Sequence, residues 1–281
     1  MTLEPLLLWS AAGLYVGATA FAIFFLLRPR EGAERLIMIL IAIALVPQTA
    51  AMVVRGVEVA AFPIASVHDG LLAFTLLAAL IALVVAWRGG IPQVAPLAVP
   101  LLGMLMIIAA LVEPGKSVPE ALRSTWLGVH IGLALLGDAA LAIAGVVAIA
   151  YLIQERRLKQ RKRPGRGRTG TGLHNLPALE ILDKVSVQLI KLGFPLMTLG
   201  LVSGSLYGRE VWGSYWSWDP RNTVSFLVWV LYAAILHARF TVGWRGRKAA
   251  ILTVVGVIAI LLAFVGLGLL GVGTHGKDYV S

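Results

Sequence analysis

The chain contains no cysteine. Disulfides, thiolate metal sites, iron–sulfur clusters and thiol redox chemistry are therefore excluded within it. Charge is scarce: 14% of the 281 residues are Asp, Glu, Lys or Arg, against about 25% in a soluble domain. Acidic residues are the rarer sign, 14 against 24 Lys and Arg, for a formal net charge of +10. Neither a nucleophile elbow nor a His-Glu-x-x-His helix occurs, so hydrolysis and acyl transfer lack their usual residues. The N-terminus has no basic stretch before its first apolar run and no small-residue cleavage site after it. Residues 1–27 are read as a retained helix, not a signal peptide.

Apolar residues are abundant instead. They make up 59% of the chain and fall in long blocks. A block of about 20 spans the hydrocarbon core as a helix. Eight such blocks lie near 6–27, 36–54, 69–87, 94–112, 127–153, 185–207, 223–240 and 249–271. The expected fold is an all-α polytopic membrane protein, a bundle of about eight transmembrane helices with an external tryptophan-rich loop. The fifth block is long enough to extend beyond the bilayer at one end.

Lys and Arg are distributed unevenly between the blocks. The odd-numbered loops hold seventeen, nine of them between Arg156 and Lys184, and the opposite side holds six. This bias puts the odd loops in the cytoplasm and both termini outside. It accounts for the basic balance without nucleic acid as a partner. Residues 161–172, RKRPGRGRTGTG, read as a flexible basic tether. Residues 266–271, GLGLLG, match the dinucleotide fingerprint only formally. They lie within a span with no preceding strand, where small residues suit close helix packing.

The sixth loop, 207–221, reads YGREVWGSYWSWDPR. Five aromatics crowd into it: Tyr207, Trp212, Tyr215, Trp216 and Trp218. An interfacial aromatic belt explains one or two of them. On a short helix, Trp212, Tyr215 and Trp216 would share one face and form a flat platform on which a planar macrocycle could stack. The residues alone leave belt and platform both open.

His130 opens the fifth block and His275 follows the eighth, on the same expected side. Two imidazoles from different elements can hold haem iron from above and below. Either alone is more readily an interfacial or hydrogen-bonded histidine. His237 lies about fourteen residues, roughly 21 Å, down the seventh block. It is either a functional intramembrane group or a side chain snorkelling beside Arg239. His68, next to Asp69, is a ligand or an ordinary helix-start residue, and His174 lies in the basic linker. Asp138 in the fifth block suits a proton path or a polar pair.

The stretch WGSYWSWDPRNTVSFLVWVLYAAILHAR resembles the tryptophan-rich WWD signature of haem-handling cytochrome c assembly proteins. Among the CcmC, CcmF and CcsA groups, the remainder is most similar to CcsA of the system II machinery. The similarity runs through WLGVHIGLAL (126–135), LPALEILDKVSVQLIKLGFPLMTLGLVSG (176–204), GWRGRKAA (243–250) and the closing GLLGVGTHGKDY. It covers about residues 126–281, and 60–75 more loosely. The family's Lys-Glu-Thr after Asp-Pro is Arg221, Asn222 and Thr223 here. Its following Trp is Val224, and its Ser-Tyr after the C-terminal histidine is Gly276 and Lys277.

The resemblance implies that His130 and His275 are the outer axial ligands of haem iron. His237 would be the ligand where haem enters within the membrane. Residues Trp212, Tyr215, Trp216, Trp218 and Asp219 would belong to the outer platform. It further implies haem b as transient cargo, a CcsB/ResB-type membrane partner, an apocytochrome c with a CxxCH motif, and thiol-reducing membrane proteins. The location implied is the bacterial inner membrane, with both termini and the WWD loop outside. Residues 1–125 would form an N-terminal four-helix region and 126–281 a C-terminal haem-handling region. The WWD loop would span 208–222 and the basic linker 154–184. Whether the chain is itself an enzyme or one part of a holocytochrome c synthase complex is left open. Alternatives are a HemX-like regulator, a transporter using Asp138 and Lys191, and a structural scaffold.

Overall fold

Hydrocarbon offers no hydrogen-bond partner to a backbone, so long apolar segments close their own bonds as helices. The computed structural model describes residues 3–28, 30–63, 66–115, 124–161 and 176–266. Among them are eight helices long and apolar enough to cross a membrane. These are α1 (Leu3–Leu27), α2 (Ala33–Val59), α3 (Val67–Arg88), α4 (Val94–Leu111), α5 (Thr125–Arg161), α6 (Leu179–Trp212), α7 (Pro220–Thr241) and α8 (Arg247–Leu261). A single π-helical turn, Leu262–Gly266, continues α8. No strand occurs among the described residues.

The eight expected blocks all appear. The helices differ from them mainly by running past the apolar residues into polar flanks. The 37 residues of α5 span about 56 Å, well beyond a core of about 30 Å. The 34-residue α6 begins at Leu179, six residues before its apolar block. Pro47, Pro100 and Pro195 lie inside α2, α4 and α6 without ending them.

Successive helices alternate in direction, so the bundle has two ends. The loop end carries residues 213–219, and the linker end carries the termini of α5 and α6 that flank the basic tether. The helices α1–α4 pack on one another, α5 packs on α6 and α8, and α3 joins the two groups along α5. Apolar attraction between helices is weak in lipid, so small residues and polar bonds hold them. Tyr15 donates to Gln48 at 2.8 Å, and Gln48 donates to the Leu72 carbonyl at 3.0 Å, tying α1, α2 and α3. Glycines let α5 and α6 touch backbone to backbone at Gly137 and Gly193.

A buried polar cluster closes the loop end of α1–α4. Arg55 donates to Asp69 at 3.1 Å and also to the Gly115 carbonyl. Asp69 and Ser66 form a reciprocal capping box at the start of α3. His68 is buried there, with Nδ1 2.8 Å from the Ala109 carbonyl and Nε2 3.2 Å from Glu4. Both ring nitrogens are engaged, so His68 is the helix-start residue of the two sequence readings.

Candidate functional site

The site is built on the α5–α6 pair at the loop end. His130 stands on the second turn of α5 and leans on α6. Its Nδ1 lies 2.8 Å from the Gly200 carbonyl and 3.4 Å from Ser203 Oγ. A carbonyl only accepts, so the ring carries its proton on Nδ1 and donates it there. The Nε2 lone pair is then left open, which is the tautomer a metal ligand needs. The ring reaches this position because Gly204 has no side chain. A Cβ at 204 would sit 2.5 Å from His130 Cε1 and 2.9 Å from Nδ1. Ser203 contributes twice, its carbonyl accepting the Trp126 indole N–H at 3.2 Å.

The tryptophan segment does not form the short helix that its spacing suggested. Trp212 is the last residue of α6, which ends at Gly213 in the left-handed region (φ 73°). Asp219 caps α7, and Pro220 occupies its first turn. The six residues between these two stops are non-helical, too few to nucleate a helix. The rings therefore meet edge to face instead of lining one flat surface. Trp212 packs at 89° on Tyr207, and Trp216 at 78° on Trp218. The Arg209 guanidinium lies 4.6 Å over the Tyr215 ring.

From Trp216 the rings continue down into the bundle. Phe226 lies 5.9 Å from Trp216, Trp229 stacks on Phe226 at 6.1 Å, and Phe194 stacks on Trp229 at 5.7 Å. Trp229 also donates to Thr198 at 2.9 Å. This row is read in the sequence only as apolar span, although Phe226 and Trp229 stand at i and i+3.

The four platform aromatics differ in exposure. Trp218 is 74% exposed, Trp212 and Tyr215 about half so, at 43% and 49%. Trp216 is half-buried, and its indole N–H is buried without an acceptor among the described residues. A buried donor of this kind calls for a ligand or water. Asp219 is occupied differently. Its two oxygens accept from the Asn222 N–H at 2.9 Å and the Ser217 hydroxyl at 2.7 Å. Asn222 in turn donates to Ser217 Oγ at 2.9 Å. Asp219 thus shapes the loop and starts α7. Arg221 follows it, near enough for its charge to act on both His130 and Asp219.

The structure brings His130, Arg221 and the tryptophan loop to one end of the bundle. His275 lies outside the described residues, as does His174. His237 is at the other end, exposed on the outer face of α7. Asp138, within α5, lies near enough to Tyr232 of α7 for its charge to act there. No group of three or more His, Asp or Glu side chains suited to a bare metal ion occurs among the described residues. Gly204 and Gly200 are site residues that the sequence reading did not single out. The spacing Gly200-x-x-x-Gly204 is the signal that could have found them.

The sequence pattern of the family described as Cytochrome C assembly protein matches residues 33–275. A relative from Prochlorococcus marinus (strain MIT 9303), named Cytochrome c biogenesis protein CcsA, is 33% identical over 293 residues, covering 93% of this chain and 92% of its own length. Proteins of the same name from Synechococcus sp. (strain CC9902) and Thermosynechococcus vestitus (strain NIES-2133 / IAM M-273 / BP-1) are 35% and 34% identical. They cover 88% and 81% of this chain, and 86% and 82% of their own lengths. Among solved structures, Cytochrome c Heme Lyase CcmF superposes with a TM-score of 0.69 at 19% identity. That match covers 96% of this chain and 50% of the CcmF chain, and it is a likeness of fold.

Proposed function

The chain belongs to the cytochrome c assembly protein family and works in cytochrome c biogenesis, and from this premise we propose that it moves haem across the membrane and presents it for attachment to apocytochrome c. The cargo is haem b, and the membrane is the bacterial inner membrane, with the loop end outside. The observation that carries this reading is the His130 ring, fixed through Nδ1–H to the Gly200 carbonyl with Nε2 open.

Haem enters near His237 and leaves at the loop end. There His130 binds the iron through Nε2, and His275 takes the opposite face. The Trp216 N–H and the Arg221 guanidinium offer donors to the ring's polar edge. Trp212, Tyr215 and Trp218 cover its apolar surface, and Asp219 holds their loop in shape. The apocytochrome presents its Cys-x-x-Cys-His segment, and each thiol adds across a vinyl group, S to one carbon and H to the other. The incoming histidine then replaces an axial imidazole, which frees the product. The chain's contribution is positioning, and its lack of cysteine prevents thioether formation with itself. A CcsB/ResB-type membrane protein completes the complex, and thiol-reducing membrane proteins keep the client's cysteines reduced. By this reading residues 126–281 are the haem-handling region and 1–125 its support.

The test is the visible spectrum of the chain purified with its partner. His130→Gly and His275→Gly are expected to lose bis-imidazole absorption and recover it when imidazole is added. Absorption that survives removal of both side chains would defeat the assignment. Trp216→Phe keeps the ring contact with Phe226 but removes the unpaired donor. It is expected to leave the protein's membrane abundance unchanged and to lower haem retention severalfold. Haem stain normalised to protein measures this, and unchanged retention would show that the donor serves the loop alone.

A further inference from the structure

The linker half of the helix that carries His237 has few anchors. Lipid supplies no apolar driving force between helices, so polar bonds and close packing decide where such a helix sits. Only Val228, Tyr232 and Ile235 are buried on α7. They are spaced i, i+4 and i+7, a single narrow stripe. Arg239, at i+11, continues that stripe to the linker end. There it forms a bidentate pair with Asp183 of α6, Nη1 3.0 Å from Oδ1 and Nη2 on Oδ2. Both side chains are largely enclosed, 11% and 19% exposed.

Asp183 grips more than α7. Its Oδ1 also accepts the backbone N–H of Gly246 at 3.4 Å, in the turn that leads into α8. Gly246 has φ 73° and lies under the Tyr151 hydroxyl of α5, which a Cβ would meet at 2.9 Å. One carboxylate therefore ties α6, α7 and the α7–α8 turn together, against α5. His237 stands two residues before Arg239, about 200° around the helix. Pinning Arg239 inward forces the imidazole outward, where it is found exposed.

We propose that Asp183 and Arg239 are positioning residues for His237: their pair fixes the rotation of the linker half of α7 and so holds the imidazole facing out of the bundle, ready for haem. This rests on the reading of His237 as a haem ligand. Neither residue touches the cargo. The pair acts through α7, and the α7–α8 turn moves with it. Trp229, bonded to Thr198 and stacked on Phe194, holds the loop half of α7, so loss of the pair would loosen the linker half, where Ile235 is the one buried residue beyond Tyr232.

The natural lack of cysteine permits a direct test in the full chain with its partner. Leu158→Cys on α5 and Val242→Cys after α7 are both exposed positions that carry spin labels at the linker end. The labelled parent is expected to give one narrow distance distribution. Asp183→Asn should broaden it, and the exchange Asp183→Arg with Arg239→Asp should narrow it again. In parallel, the part of the haem absorption that disappears in His237→Ala is recorded in each variant. It should fall severalfold in Asp183→Asn and return in the exchange. An unchanged distance distribution in Asp183→Asn would overturn the clasp. A broadened one with the His237-dependent absorption intact would overturn its role in positioning the ligand. A parent chain with no His237-dependent absorption would instead sink the ligand reading itself, and the proposal with it. Should Asp183→Asn be lost from the membrane, Asp183→Glu keeps the charge and displaces α7 by about one methylene. It should then show a shifted but narrow distribution and reduced absorption.

Discussion

Gly204→Ala is expected to remove most holocytochrome production while leaving the chain's abundance in the membrane near that of the parent. The added methyl would lie 2.5 Å from His130 Cε1, where no carbon can remain. The imidazole is the movable party, since the α6 backbone is packed on α5. To escape, the ring must turn about its side-chain bonds and release the Gly200 carbonyl. It then loses the hydrogen bond that fixes its tautomer and aims Nε2. Loss of such a supporting contact lowers metal affinity or activity by about ten- to a hundredfold. The visible spectrum of the purified complex and haem-stained cytochrome from the same cells measure both effects. A parental spectrum in Gly204→Ala would show that the ring does not need the space the glycine leaves.

The second large effect concerns the seam that carries the site. At Gly137 a Cβ would stand 2.7 Å from the Met197 nitrogen and 3.0 Å from the Gly193 carbonyl. At Gly193 it would stand 2.8 Å from the Gly137 carbonyl. These neighbours are backbone and cannot turn aside. Gly137→Leu must push α5 and α6 apart, at a cost of about 3 kcal/mol or more. Most of the protein should be lost from the membrane, and the thermal midpoint of any remainder should fall. Gly132 lies on the same helix with nothing within 4 Å. Gly132→Ala should be tolerated, and even gain up to about 1 kcal/mol from helix propensity. Equal losses at both positions would mean that the glycines matter for reasons other than this contact.

The two glycines show how far a sequence carries this fold. Gly132 and Gly137 are indistinguishable in the string, since both interrupt an apolar block. Which one meets a neighbouring backbone depends on how α5 is rotated against α6, and that is set by every other residue on the seam. The tryptophan segment shows the opposite case. Its residues single it out as a candidate site, yet their helical spacing suggests a shape that the segment does not take. Gly213 and Pro220 stop the helices on either side and leave six residues to cross between them. Asp219, expected at the haem surface, spends both oxygens on that crossing. The ends of α5 and α6 were underestimated for a simpler reason. Hydropathy measures the apolar part of a helix, and Glu155 and Asp183 belong to helical turns that leave it.

The sequence by itself determined eight apolar runs long enough to cross a membrane, because a bilayer accepts such a run only as a helix. It also showed where tryptophan and charge are concentrated at a span's end, in residues 207–221. Only the tertiary structure decided which histidine nitrogen is free, that His68 is engaged on both sides, and that Arg239 closes on Asp183. Each of these depends on partners forty to seventy residues apart in the chain. Such pairs arise from helix rotation and packing, which hydropathy does not encode.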